Sequence, residues 1–108
     1  MDMTGGNMKQ VVVQYRIKPD RADENQRLVE KVFEELNDRD PGGLRYATFR
    51  MADGVSFMHV AVINDPNANP LGETAAFAEF QGELADRCDI PPAPSDTTVV
   101  GSYRFFAD

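Results

Sequence analysis

His59 is the only histidine in the chain. An unperturbed imidazole changes charge near neutrality, so it can move a proton or orient a ligand. His59 sits in the run VSFMHVAVI (55–63), at period two with Phe57 and Ala61. The preceding run, LRYATFRM (44–51), puts Tyr46, Thr48 and Arg50 on one face. In QVVVQYRIK (10–18), Gln14 and Arg16 share a face, opposite Val11, Val13, Tyr15 and Ile17. We take Gln14, Arg16, Tyr46, Thr48, Arg50 and His59 to lie together on the sheet face away from the helices, with Ser102 and Arg104 added by the last strand. Arginine presents a planar donor fork that suits carboxylate or phenolate oxygens. Tyr46 and Phe57 would supply a flat apolar wall. The chemistry of such a set is recognition of, and proton exchange with, a small aromatic or anionic molecule. His59 is then the candidate catalytic group, and Gln14, Arg16, Tyr46, Thr48, Arg50, Phe57 and Arg104 are the candidate substrate contacts. The same residues also read as polar groups of a subunit interface around a hydrogen-bonded structural histidine, and the sequence leaves both readings open.

Composition narrows the partners. The chain has 108 residues, with 18 acidic against 11 basic side chains and a formal net charge of −7. Phosphate neutralisation and anionic membrane surfaces both need a basic face, so neither nucleic acid nor a membrane is an expected partner. Cys88 is the single cysteine. No internal disulfide can form, and no Cys/His cluster is spaced to hold zinc, so neither metal nor cofactor is expected. No signal-like segment or membrane-length apolar run is visible, and a cytoplasmic location is expected.

The elements that must position these residues can be read in order. Residues 1–9 are expected to form a mobile arm and residues 10–108 a single domain. The first strand ends before Pro19. Asp20 is expected to cap a helix whose first turn carries Asp23 and Glu24. Leu28, Val29, Val32, Phe33 and Leu36 make its apolar stripe, and the glutamates fall largely on the solvated side. Asn37-Asp38-Arg39-Asp40-Pro41-Gly42-Gly43 is expected to end it. Asp53-Gly54, between two β-rich runs, predicts a hairpin. Phe77, Phe80, Leu84 and Cys88 predict a second helical region over 71–88, interruptible at Gly82. Asp89 to Asp96 contains three prolines and reads as a stiff connector, which leaves TTVVGSYRFF (97–106) as the last strand.

The order β-α-β-β-α-β predicts an α+β, ferredoxin-like fold. It has a four-stranded antiparallel sheet of order 4-1-3-2 with both helices on one face. Val12, Leu44, Tyr46, Phe57 and Phe106 are assigned to the other face. An open face that apolar needs cover, and a second copy of the chain is the simplest cover.

With the strand VVVQYRIKP before a long helix, Pro-Gly-Gly before the hairpin, a hydrophobic third strand and a Phe-rich second helix, residues 10–106 resemble the dimeric α+β barrel superfamily. Within it, the antibiotic-biosynthesis-monooxygenase-like domains are the nearest in pattern. The resemblance implies a homodimer that binds a small molecule between sheet and helices or inside the joined sheets. It implies either a cofactor-independent monooxygenase of an aromatic substrate or a non-catalytic dimeric binding or stress-response interaction domain. Monooxygenase and haem-degrading members commonly carry a tryptophan near the pocket, and this chain has none. A strand-borne histidine such as His59 is instead similar to one in the stress-responsive plant barrel proteins.

Overall fold

A computed structural model of the chain describes residues 8–105. Its main elements are β1 (Lys9–Ile17), α1 (Ala22–Arg39), β2 (Leu44–Arg50), β3 (Ser56–Ile63), α2 (Ala75–Gly82), the single turn α3 (Leu84–Arg87) and β4 (Cys88–Asp96). The four strands form one antiparallel sheet in the order β2-β3-β1-β4, the expected 4-1-3-2 arrangement read from the other edge. Most of the arm expected at the N-terminus lies outside the described residues, and β1 already begins at Lys9.

Helix α1 forms where the apolar spacing predicts it, and buries Ala22, Asn25, Val29 and Val32. Its start is displaced. A tight turn over Pro19–Arg21 precedes it, so Asp20 is not the cap, and Arg21 instead pairs with Glu24. Asp40 ends the helix in the left-handed region at φ 46°, its N–H donating to Leu36 O at 2.7 Å. The hairpin is held by Asp53, whose Oδ1 accepts the N–H groups of Val55 and Ser56 while Oδ2 accepts the Ser56 hydroxyl. Gly54 follows at φ 80°, where a side chain would be strained. The second helical region is broken at the expected place: a tight turn over Pro70–Glu73 leads to α2, and α3 begins beyond Gly82. Thr74 caps α2 by accepting from Phe77 N–H.

Two further expectations fail. The last strand is Cys88–Asp96, the proline-containing segment, and residues 97–105 form no strand. Prolines are tolerated because β4 is an outer strand, where a missing N–H costs least. Its register on β1 runs from Ile17↔Cys88 to Val11↔Asp96 with irregular steps at Gln14–Ile17, and Lys18 N–H donating to Arg87 O pins its start. Phe106 lies outside the described residues.

The second failure concerns the faces. Cross-strand pairing couples Val13 with His59, Tyr15 with Phe57, Thr48 with His59 and Tyr46 with Ala61. Tyr15, Ile17 and Phe57 pack into the core with Val29, Val32, Leu71 and Phe80. Period two then puts Leu44, Tyr46, Thr48, Arg50, Phe57 and His59 on the helix-covered face. Gln14 and Arg16, paired with Met58 and Ser56, lie on the face away from the helices, the open face, with Val12, Ala47, Phe49, Val60 and Val62, where Val99 and Phe105 of the segment after β4 lie beside Val62, which is buried. The expected grouping is therefore split across the sheet, and Leu44, Tyr46 and Phe57 are not on the open side.

Candidate functional site

The histidine at the centre of β3 is buried between the sheet and α2, and both of its ring nitrogens have partners. Tyr15 Oη lies 2.7 Å from Nε2, Tyr46 Oη 2.6 Å from Nδ1 and Thr48 Oγ1 3.1 Å from Nδ1. The cause is register: Thr48 is directly opposite His59, Tyr46 is two residues along β2, and Tyr15 reaches from β1. From α1, Asn25 Nδ2 donates to Tyr15 Oη at 3.1 Å. Arg87, at the end of α3, closes the row. Its Nε donates to Asn25 Oδ1 at 3.1 Å and its terminal nitrogen to Phe80 O at 2.8 Å, with the guanidinium 5.5 Å from the Phe80 ring centre. Arg87 is only 1% exposed, and no carboxylate of the described residues forms an ion pair with it.

Burial sets the electrostatics. It holds the His59 imidazole well below its ordinary 6.5, at about 4. Desolvation is the cause. Burial also raises the Tyr15 phenol above its usual range, with the Asn25 hydrogen bond partly offsetting it. The Tyr46 phenol is pushed up to about 12 by burial and lowered somewhat by Thr48. At neutral pH the histidine and both tyrosines are uncharged.

Beside this network a cavity of about 330 Å³ opens between the sheet and α2–α3. His59, Tyr15 and Tyr46 line it together with Val11, Val13, Ala61 and Ile63 of the sheet, Phe77 and Phe80 of α2, Leu84 of α3 and Pro92 and Pro94 of β4. A largely apolar chamber whose wall also carries these hydroxyl and imidazole groups, the Lys9 side chain and the amides of Asn69 and Gln81 is suited to a small, flat molecule with a few polar substituents. Among the described residues there is no group of three or more His, Cys, Asp or Glu side chains that could hold a metal ion.

Of the sequence-predicted residues, His59, Tyr46 and Thr48 come together. Phe57 is packed in the core, stacked on Tyr15 at 5.7 Å between ring centres, and does not line the cavity. Arg50 donates to Asp23, Gln26 and the Gly54 carbonyl, so its fork is engaged by α1 and the hairpin. Gln14 and Arg16 are exposed on the far side of the sheet. Arg104 lies beyond β4 with its guanidinium 5.4 Å from the Tyr103 ring centre. Tyr15, Asn25 and Arg87 were not anticipated. A signal existed for each: Tyr15 is in phase with Val13 and Ile17, Asn25 with Val29 and Val32, and Arg87 with Phe80 and Leu84. A polar group in phase with an apolar stripe marks a buried polar contact.

No helix of the described residues is long and apolar enough to cross a membrane. No protein-family model and no curated protein sequence matches the chain. Solved structures do. A candidate antibiotic biosynthesis monooxygenase from Nitrosomonas europaea superposes with a TM-score of 0.72 at 20% identity, over 93% of this chain and 96% of that one. A second, from Bacteroides thetaiotaomicron, gives 0.76 at 16% identity, over 89% and 92%. A mutant of SnoaB, a cofactor-independent oxygenase from Streptomyces nogalater, gives 0.64 at 16% identity, over 89% and 96%. The chain shares the ferredoxin-like α+β fold of these solved antibiotic biosynthesis monooxygenase structures.

Proposed function

We propose that the chain binds a small aromatic molecule in the cavity between the sheet and α2–α3, working as a homodimer joined through the open sheet face. The carrying observation is the conjunction of a 330 Å³, largely apolar chamber with the His59–Tyr15–Tyr46 hydrogen-bond network in its wall. Phe77, Phe80 and Leu84 would press on the ring system, while the network would meet its polar substituent. In this reading His59, Tyr46 and Thr48 belong to the binding site. Gln14, Arg16, Arg50, Phe57 and Arg104 have no part in it.

A second reading, cofactor-independent oxygenation of the bound aromatic, is supported by the likeness to SnoaB. Against it stands the weak basicity of His59, whose two nitrogens are already engaged. A general base is most effective when its pKa lies near the working pH. Ligand binding is therefore the primary reading, with oxygen consumption assayed on any ligand found.

The test is a thermal-shift screen of hydroxy- and keto-substituted naphthalenes. A ligand at 100 times its Kd stabilises the folded state by about 2.7 kcal/mol. Leu84→Trp, which fills the cavity, should abolish the shift while the apo protein remains folded. A panel without a hit, or a shift that survives Leu84→Trp, would reject the site.

A further inference from the structure

We infer that Arg87 and Asn25 act as positioning residues that fix His59 in its Nδ1–H form, which leaves the Tyr46 hydroxyl proton to the cavity, so that the pocket selects aromatic molecules bearing a hydrogen-bond-accepting oxygen. This rests on the pocket reading for its ligand class, but not for its wiring.

The wiring follows from donor and acceptor inventories. A guanidinium only donates. Arg87 Nε lies 3.1 Å from Asn25 Oδ1, so that end of the amide is the oxygen and the other end is the donor. The Asn25 nitrogen therefore donates to Tyr15 Oη, at 3.1 Å. Tyr15 Oη has one other partner among the described residues, His59 Nε2 at 2.7 Å. Its own proton goes there, which requires Nε2 to be bare. A neutral imidazole carries one N–H, so the proton sits on Nδ1. From Nδ1 it is donated to Tyr46 Oη at 2.6 Å, with Thr48 Oγ1 at 3.1 Å beside it.

The opposite wiring is costly. It would bring two N–H donors to Tyr15 Oη and leave the Tyr15 proton without an acceptor in a residue 4% exposed. With the first wiring, Tyr46 Oη accepts from His59. Thr48 is hydrogen-bonded to the same oxygen and opposes the upward shift of that phenol. Within the row the Tyr46 proton then has the Thr48 hydroxyl beside it, and Tyr46 lines the cavity, so a ligand oxygen competes with Thr48 for that proton. A carbonyl or phenolate oxygen of the ligand is its natural partner. The charge that orients the whole row is that of Arg87, which is buried and forms no ion pair with a carboxylate of the described residues.

The wiring can be read without any ligand. There is one histidine, so long-range ¹H–¹⁵N correlation of its ring needs no assignment. Nε2 couples to both carbon-bound ring protons and Nδ1 chiefly to one, which tells the nitrogens apart. The expected result at pH 7 is a pyridine-type Nε2 and a pyrrole-type Nδ1. Asn25→Asp is the isosteric challenge. Its carboxylate, neutralised by Arg87, accepts from both Arg87 and Tyr15. The Tyr15 proton then turns away from His59, Nε2–H donates to Tyr15, and Tyr46 donates to Nδ1. The tautomer should switch to Nε2–H, an effect a merely structural asparagine would not produce. A pyrrole-type Nε2 in the unmodified protein, or no switch in a folded Asn25→Asp, overturns the wiring, and the first of these needs no variant.

The ligand arm uses 1-tetralone and tetralin, which differ by one carbonyl oxygen. The preference for the ketone, measured as a ratio of Kd values, should fall about three- to tenfold in Tyr46→Phe and in Asn25→Asp. An unchanged ratio in Tyr46→Phe overturns the selection. If neither probe binds even the unmodified protein, the pocket reading fails together with the selection, while the tautomer still decides the wiring.

Discussion

Removing the one histidine should remove a defined part of the protein's acid sensitivity. Burial holds His59 at about 4 against an ordinary 6.5, so the unfolded chain binds the proton more tightly than the folded one between those values. Stability therefore rises with pH across that window. The contribution is complete above pH 6.5, declines as pH falls, and levels out below about 4. At 1.36 kcal/mol per pH unit the full effect is about 3 kcal/mol, of which linkage puts about 2 kcal/mol between pH 8 and pH 5. Against a typical domain stability of about 5–15 kcal/mol this is easily measured. The assay is urea unfolding followed by far-ultraviolet circular dichroism at one fixed protein concentration, for the unmodified chain and His59→Gln. Glutamine removes the titration and keeps an amide that can hydrogen-bond. Asp53, held at about 2 by the Ser56 hydroxyl and the N–H groups of Val55 and Ser56, also erodes stability towards acid, as do Glu24 and Glu35, but equally in both proteins. The difference between the two curves isolates the histidine. His59→Gln should lie below the unmodified chain at pH 8 and lose about 2 kcal/mol less on going to pH 5. Parallel curves over that range would show that His59 is not held neutral by burial, and the account of the network would fail with it.

Sedimentation at micromolar concentration should give twice the chain mass, and Phe49→Glu, a charge placed at an exposed ring on the open sheet face, should return the monomer; a monomeric parent protein would remove the homodimer. Phe57→Ala, at a ring 2% exposed in the middle of the sheet, should cost about 3–5 kcal/mol in a urea titration. Phe33→Ala should cost less, because that ring is only partly buried where it stacks on Tyr46 at 5.0 Å. Equal losses at the two positions would contradict the core described here.

What could be read from the sequence was whatever depends on a single element. The stripe of α1, the break at Gly82 and the Asp53-Gly54 turn are local, and each appears where its residues predict. The strand order followed from the succession of elements and the handedness of crossovers. The shared face did not follow. Parity within β1 and within β3 was correct, yet nothing in either strand says that Val13, not Gln14, stands opposite His59. Hydrophobicity could not arbitrate, since Val12, Val60 and Val62 make the open face nearly as apolar as the covered one. The last strand was misplaced for a related reason. Pro91, Pro92 and Pro94 argue against a central strand, and only the sheet order shows that this one is an edge. The Arg87–Asn25–Tyr15 row joins β1, α1 and the end of α3, and no local pattern could have assembled it.

The prolines of β4 bear on how copies of this chain can meet. An outer strand is normally a template on which another chain can lay down a further strand, and repetition of that step gives open-ended fibres. Three of the nine residues of β4 have no N–H to offer, so this border of the sheet is a poor place to begin. The border at β2 has no proline, but a single receptive border cannot propagate a chain of copies; two β2 edges can meet only once. Growth along the sheet is thus blocked at one end, and association through the broad face is the route left open. A protein with 18 acidic side chains in 108 residues would then remain a small, closed assembly even when crowded in solution.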